Sequence, residues 1–94
     1  MEKLSPQAFD QLKLRHLRLL IALAERRHLG RAAEDLAVTQ PAASRLLAEL
    51  EARFGRPLFD RGRHGVRALP AAAQVLRFAR MVCAEEQLVR RALG

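Results

Sequence analysis

The chain contains no tryptophan and no tyrosine, and it has only 4 phenylalanines and 1 cysteine among 94 residues. So few aromatic rings argue against a surface that stacks single-stranded bases, because such surfaces depend on exposed rings. The single cysteine, Cys83, excludes a disulfide within the chain and fits a reducing, cytosolic compartment; its apolar neighbours predict a small core or interface residue. Long apolar runs are missing too, so we predict neither a membrane span nor a signal peptide.

Acidic residues are also scarce, with 10 Asp and Glu against 17 Lys and Arg, which gives a net charge of +7. Most of the excess is arginine, whose planar guanidinium favours phosphate and guanine as partners. We therefore expect a polyanionic partner, although high arginine use is also typical of some genome compositions. Half of the residues are hydrophobic, and many are Ala and Leu, which favour helices around one small core.

No arrangement of residues typical of an enzyme is visible. The sequence has no carboxylate pair in an apolar setting, no nucleophile beside a base and no glycine-rich phosphate loop; Ser44, for example, has no neighbouring base. The three histidines, His16, His28 and His64, lack the spacing and the acidic or thiol neighbours of a metal site. We therefore expect no catalysis, no cofactor and no metal.

The most informative stretch is residues 28–54, which predicts a helix, a tight turn and a second helix. The first helix spans His28–Leu36, and small Ala32 and Ala33 on its inner face permit close helix packing. Thr39 is placed to cap the second helix, and Pro41 fits its first turn, where a missing N–H costs little.

Two faces separate along the second helix, Gln40–Phe54. One apolar stripe at helical spacing predicts the buried side: Ala43, Leu47, Leu50 and Phe54. The other stripe is slim and carries hydrogen-bonding groups: Pro41, Ser44, Arg45 and Ala48. A helix with such an exposed half fits the DNA major groove, so we predict a recognition helix.

The segments before this motif support it. Leu12–Arg27 predicts an amphipathic scaffold helix, with His16 and Arg18 on its solvated side. The polar lead-in, Met1–Gln11, contains Ser5-Pro6, which suits the start of a helical turn, but the segment is equally compatible with a disordered tail.

After Gly55, a good helix C-cap, the pattern predicts a β-hairpin. Leu58-Phe59 form the first strand, the turn Gly62–Gly65 contains two glycines, and Val66–Leu69 return. The tip carries Arg63 and His64, with Arg61 and Arg67 at the sides. A basic hairpin beside a recognition helix is a wing for the DNA backbone or minor groove; the alternative is a solvated basic loop.

The last helix is predicted over Pro70–Leu93. A heptad-like seam recurs along it: Val75, Phe78, Ala79, Val82 and Val89. Glu85 and Glu86 interrupt the seam, but so long a helix has little room to bury its far end on a small domain. We therefore expect a homodimer through this helix; the alternative is a helix packed wholly within one monomer. No second core follows, so we expect the chain to be one domain of a longer protein.

The run RAAEDLAVTQPAASRLLAELEARFGRPLFDR resembles the N-terminal DNA-binding domain of bacterial LysR-type transcriptional regulators. The matching features are the Ala-Ala pair, the Leu before the turn, Thr-Gln-Pro-Ala, Ser-Arg, Leu-Glu, the closing Gly and Leu-Phe-x-Arg, then a wing and a long helix. The similarity extends over Leu12–Leu93. The sequence departs from the family pattern at three places. The entry His28-Leu29-Gly30 is usually Ser-Phe-Thr, and Pro70 and Ala73 stand where the family usually has Thr and Gly. Leu46 occupies a position that is more often polar.

The resemblance implies a mainly α fold, a winged helix-turn-helix with a three-helix core and a small β-hairpin wing, followed by a long dimerisation linker helix. The expected division is a lead-in (1–11), the DNA-binding domain (12–69) and the linker helix (70–94). It implies a cytoplasmic, nucleoid-associated dimer on pseudo-palindromic operators with a T-N11-A core. Full-length members are tetramers and bind a small-molecule effector through a C-terminal domain that this chain lacks.

The resemblance also assigns residues. Gln40, Pro41, Ser44 and Arg45 match positions that touch bases or nearby phosphates, and Thr39 matches the capping residue that can reach a phosphate. Arg31, Arg61, Arg63 and His64 match positions near the DNA backbone and in the wing. From the sequence itself, His28 starts a helix whose amides can meet a phosphate. Two alternatives stay open: a winged helix that binds an acidic protein, and a non-specific nucleoid binder.

Overall fold

Four α-helices and one β-hairpin account for most of residues 6–94, which are the residues that the computed structural model describes. The predicted role of Ser5 at the start of a turn lies outside this range. In chain order the elements are a 3₁₀ helix at Pro6–Gln11, α1 at Leu14–Arg26, α2 at Leu29–Asp35, α3 at Gln40–Phe54, β1 at Phe59–Gly62, β2 at Gly65–Ala68, a 3₁₀ helix at Pro70–Ala72 and α4 at Ala73–Leu93.

Helix α1 is the scaffold of the domain, because α2, α3 and α4 all pack against it. The predicted amphipathic helix is confirmed, with slightly shorter bounds, and its leucines Leu17, Leu19, Leu20 and Leu23 are buried. Its C-cap is Arg27, whose backbone is left-handed (φ 56°) and whose N–H donates to the Leu23 carbonyl at 2.9 Å.

The expectation that His16 is solvated is wrong, since only 1% of this residue is exposed. Because α1 begins at Leu14, His16 stands in its first turn, where a side chain can reach back to the preceding amide. Its Nδ1 accepts the Lys13 N–H at 3.1 Å. The other ring nitrogen, Nε2, lies 3.7 Å from Glu49 Oε1 on α3, beyond hydrogen-bond distance.

The predicted helix-turn-helix is confirmed. Ala32 and Ala33 are fully buried, which allows α2 to approach its neighbours closely. The turn contains Ala37 in a left-handed conformation (φ 57°), and Thr39 Oγ1 caps α3 by accepting the Ala42 N–H at 3.2 Å. Gly55 (φ 80°) ends α3. The predicted buried stripe of α3 is buried, and Leu46 joins it.

The two strands pair antiparallel, with Phe59 opposite Ala68 and Gly62 opposite Gly65. Phe59 and Val66 are buried, which shows the face that the hairpin turns toward the helices. Arg61 pairs with Val66 and therefore lies on this same inner face, whereas Asp60 and Arg67 lie on the outer face. The fold is a winged helix-turn-helix followed by a long helix.

The burial of side chains changes along helix α4. Its first half packs within the chain and buries Val75, Leu76, Ala79 and Cys83. Arg18 on α1 and Arg90 both bind the Glu86 carboxylate, and hydrogen bonding from Arg90, with help from Arg18, lowers the pKa of Glu86. On other faces and toward the C-terminal end, Phe78, Met81, Leu88, Val89 and Leu93 are exposed. The predicted dimerisation seam included Val75 and Ala79, but both residues lie in the chain's own core.

Candidate nucleic-acid interface

The N-terminal half of α3 presents a narrow exposed face. Thr39, Gln40, Pro41 and Arg45 are exposed and Ser44 is half-buried. Because the Thr39 cap and Pro41 together fix the first turn, this end of the helix is well defined. The face therefore offers an amide, a hydroxyl and a guanidinium beside small side chains, which is suited to base edges in a major groove.

The Gln40 side chain at the start of α3 lies close to Gly30 at the start of α2. A Cβ at Gly30 would lie 3.0 Å from His28 Cε1 and 3.2 Å from Gln40 Oε1. The Gln40 side chain therefore lies over the start of α2, in space that a side chain at residue 30 would occupy. Sequence reasoning treated Gly30 as a departure from a family pattern and missed this contact.

His28 caps α2 rather than leaving its amides open. Its Nδ1 accepts the Arg31 N–H at 3.1 Å, so this amide already has a partner within the chain. The Arg31 guanidinium is exposed on the same end of the helix. Both residues keep side-chain donors for a phosphate, the guanidinium of Arg31 and the Nε2–H that His28 retains when its Nδ1 accepts the Arg31 amide.

The wing stands directly beside the recognition helix. Arg61 Nη1 lies 3.5 Å from Ser44 Oγ, which follows from the inward-facing position of Arg61 in the hairpin register. Arg63 and His64 form the exposed tip between Gly62 and Gly65. Arg67 is paired with Asp60 at 3.6 Å, so part of its charge is compensated.

Two contacts that the sequence did not reveal hold the wing in place, one to α3 and one to the end of α1. Glu51 on α3 accepts the backbone N–H groups of Leu58 and Phe59 at 2.7 and 3.1 Å. The Val66 N–H donates to the Arg27 carbonyl at 3.1 Å, where α1 ends. Gly65 (φ 104°) is required there, because a Cβ would lie 2.4 Å from that carbonyl oxygen.

Among the described residues, four arginines of this surface have no acidic partner. Across residues 6–94, no ion pair involves Arg31, Arg45, Arg61 or Arg63. The nearby carboxylate Asp35 binds Arg26 in a bidentate contact at 2.7 and 3.0 Å. The exposed half of α3, the α2 entry and the wing thus form one positively charged face.

Other kinds of site find little support in this part of the chain. No group of three or more His, Cys, Asp or Glu side chains within residues 6–94 is arranged to hold a metal ion. None of the helices found there is both long and apolar enough to cross a membrane.

Comparison with known proteins agrees with this geometry. The profile of the bacterial regulatory helix-turn-helix proteins of the lysR family matches residues 14–74. The HTH-type transcriptional regulator GbpR of Azospirillum brasilense is 47% identical over 72 residues, which are 77% of this chain and 21% of GbpR. The uncharacterized regulator YdcI of Escherichia coli is 46% identical over 70 residues, 74% of this chain and 23% of YdcI. The chain thus spans less than a quarter of the length of these two relatives.

Similar solved structures include complexes with DNA. The CbnR DNA-binding domain bound to DNA has a TM-score of 0.73 and 30% identity, and the match covers 88% of this chain and all 100% of that one. The BenM DNA-binding domain on its benA site 1 DNA has a TM-score of 0.74 and 30% identity, with coverage of 86% and 95%. The H2O2-bound C206S mutant of Corynebacterium glutamicum OxyR has a TM-score of 0.78 and 35% identity, with coverage of 87% and 27%.

Proposed function

Because this chain belongs to the lysR family of bacterial regulatory helix-turn-helix proteins, we propose that it works as a dimer that reads a specific double-stranded operator. It is a DNA-binding domain of a transcriptional regulator, and its relatives are regulators rather than enzymes. The observation that carries the finer proposal is the exposed, donor-bearing half of α3 with Arg61 of the wing 3.5 Å from Ser44.

In this proposal α3 enters the major groove by its N-terminal half. Gln40 suits an adenine edge and Arg45 a guanine edge, because each can form two hydrogen bonds to that base. Pro41 and Ser44 pack close to bases or nearby phosphates, and the Thr39 region faces a phosphate. Arg31 adds a charge at the α2 entry, while His28 keeps that entry in shape through its cap to the Arg31 amide.

The wing holds the flank of the same half-site. Arg63 and His64 at the exposed tip lie along the backbone or in the minor groove, and Arg61 bridges wing and recognition helix. These ionic contacts supply much of the affinity, so binding weakens steeply as salt rises.

The second subunit is proposed to pack on the exposed apolar face of α4. Phe78 and Val89 are 39% and 54% exposed, and Val82 is half-buried. Met81 and Leu88 add to this surface at 65% and 57% exposure. Two such subunits would place two copies of α3 in successive grooves of a pseudo-palindromic T-N11-A operator. Tetramer formation and effector sensing would belong to a C-terminal domain outside this chain.

The test is fluorescence anisotropy of the chain on a T-N11-A palindrome and on a scrambled duplex across a salt series. We expect a preference for the palindrome that persists as salt rises, together with a steep loss of total affinity. Binding that is equal on both duplexes and vanishes with salt would contradict base recognition on this operator core. Tight binding to an acidic protein surface without any affinity for duplex DNA would favour the alternative protein-binding role.

A further inference from the structure

Three phenylalanine rings connect the N-terminal segment to two distant helices. Phe9 packs edge-on against Phe54, the last residue of α3, with ring centroids 5.4 Å apart and an interplanar angle of 86°. On its other side Phe9 packs edge-on against Phe78 of α4 at 5.3 Å and 87°. Aromatic pairs favour this edge-to-face geometry at this separation of the ring centroids. Phe9 is therefore in contact with both the recognition helix and the long helix.

The segment that carries Phe9 is fixed by further contacts. Ala8 is 4% exposed and belongs to the domain core. Arg53 Nη1 on α3 donates to the Gln11 backbone carbonyl at 3.0 Å, and it lies 3.3 Å from the Gln11 side-chain oxygen. The 3₁₀ helix at Pro6–Gln11 is thus attached to the end of α3 by both apolar and polar contacts.

Helix α4 packs mainly on α1, whereas α3 packs on both α2 and α1, and α3 and α4 do not pack broadly on each other. Without the N-terminal segment, the relative orientation of α3 and α4 would depend on α1 and α2 and on the wing that connects the two helices. The Phe54–Phe9–Phe78 array adds a separate connection between the end of α3 and the first half of α4.

We propose that Pro6–Gln11, here called the N-terminal brace, sets the angle between α3 and α4 and thereby the spacing of operator half-sites that the dimer accepts, with Phe9 as its central positioning residue. This inference rests on the proposed dimer through α4. A helix of 21 residues is about 32 Å long, so a tilt of about 10° displaces its far end by about 5 Å. That displacement exceeds one base-pair step of about 3.4 Å.

The DNA experiment compares a single half-site with palindromes whose spacers are changed one base pair at a time. For the wild-type chain we expect a sharp optimum of spacing. Phe9→Ala should bind the optimal palindrome about tenfold more weakly, because it loses two aromatic contacts, and should lose its preference among neighbouring spacers. Affinity for the half-site should change less than about twofold, since the α3 surface and wing are intact.

Matched variants separate this role from a general loss of packing. Asp10→Ala removes an exposed side chain from the same 3₁₀ helix and should behave as wild type. Phe9→Tyr keeps the ring and should restore the spacing optimum. Arg53→Met removes the hydrogen bonds to Gln11 without touching the rings and should broaden the spacing preference in the same direction as Phe9→Ala, by a smaller factor.

A second measurement does not depend on DNA or on dimer formation. Spin labels on Ala52→Cys in α3 and Ala84→Cys in α4, in a Cys83→Ala background, report the distance between the two helices within one chain when labelled protein is diluted with unlabelled protein. Both label sites are exposed. We expect the distance distribution to widen in Phe9→Ala and to stay narrow in Asp10→Ala.

The two measurements distinguish the possible failures. An unchanged distance distribution in Phe9→Ala overturns the brace. If dimer affinity falls all the same, Phe9 acts by contacting the partner subunit instead. An unchanged spacing optimum in Phe9→Ala also overturns it and leaves the dimeric operator proposal intact. A wild-type chain without any spacing optimum overturns both the proposed dimer and the spacing role of the brace.

Discussion

Single residues in this domain have roles that depend on backbone geometry as much as on chemistry. His16 turns back to the Lys13 amide because it stands in the first turn of α1, and this position buries it almost completely. Arg45, by contrast, is exposed and without an ion pair in the described residues, so its guanidinium is available to another molecule. We therefore expect changes of His16 to affect stability and changes of Arg45 to affect DNA recognition.

Stability should fall on acidification because of His16. Burial lowers the pKa of His16 below its usual 6.5, assisted by Arg53 and Arg15 and opposed by Glu49. The unfolded state therefore binds the proton more readily, so the stabilisation is complete above pH 6.5 and is lost as the pH falls through the folded-state pKa. The loss is at most about 1.4 kcal/mol per pH unit. Urea denaturation at a series of pH values between about 5 and 8, which brackets the pKa of an ordinary imidazole, measures this loss of unfolding free energy.

His16→Gln is the matched control for this pH dependence. A glutamine in the first helical turn can still accept the N-cap amide, but it does not titrate. As the pH falls, the unfolding free energy of wild type should therefore decrease relative to that of His16→Gln. A difference that stays constant over the whole range would contradict the assignment.

Arg45→Ala should relax sequence preference and weaken binding to the best operator by about 1–3 kcal/mol if Arg45 contacts a base. Arg63→Ala is the comparison, because a phosphate contact at the wing tip should weaken all duplexes alike and lower the salt slope by roughly one unit. Anisotropy titrations on operator and scrambled duplexes give both quantities. Unchanged specificity in Arg45→Ala would restrict Arg45 to a phosphate contact.

At the scale of elements, the wing is positioned by contacts with two different helices. Glu51 joins α3 to the first strand, and Gly65 joins the second strand to the end of α1. The wing is therefore fixed at both of its strands, so its basic tip is held beside α3 rather than left to move as a loop.

Gly65→Ala should destabilise the domain by about 2–4 kcal/mol, because an added Cβ meets the Arg27 carbonyl oxygen at 2.4 Å in a left-handed backbone. Gly62→Ala is the matched control at the other side of the same turn, where no atom lies within 4 Å of the added Cβ. That variant should stay within about 0.5 kcal/mol of wild type. Chemical denaturation measures both, and equal losses in the two variants would contradict the close approach.

At the scale of the whole molecule, one long helix completes the core and is also proposed to form the dimer interface. The first half of α4 completes the core of its own subunit, with Val75 and Ala79 inside it. The exposed apolar side chains of α4 extend beyond this contact and are the surface proposed for a second copy. In the proposed dimer, the positive face of the domain would occur twice.

Val89→Asp should weaken the dimer by at least about tenfold without unfolding the chain, because it would place an unpaired carboxylate in the proposed interface. Val89 is 54% exposed in the single chain, so the fold itself does not depend on it. Gln87→Asp introduces the same group at an exposed position about 200° around the helix and should leave dimer affinity unchanged. Analytical ultracentrifugation measures the association, and equal effects of both changes would contradict this interface.

The sequence by itself determined the elements whose signals are local. Thr39 and Pro41 set the start of α3, Gly55 sets its end, and two glycines set the turn of the wing, because each acts on neighbouring backbone groups. The apolar periodicity of α3 likewise predicted its buried face, and the motif from the Ala-Ala pair to Leu-Phe-x-Arg identified the family.

Only the tertiary structure decided which distant residues meet. The burial of His16, the contact of Gly30 with Gln40 and the packing of Phe9 all join segments with no common local pattern. The division of α4 into a core half and an exposed half has the same origin: its heptad spacing is satisfied equally by a partner helix or by α1. Periodicity specifies that a face is apolar, whereas the packing of the whole chain specifies what covers it.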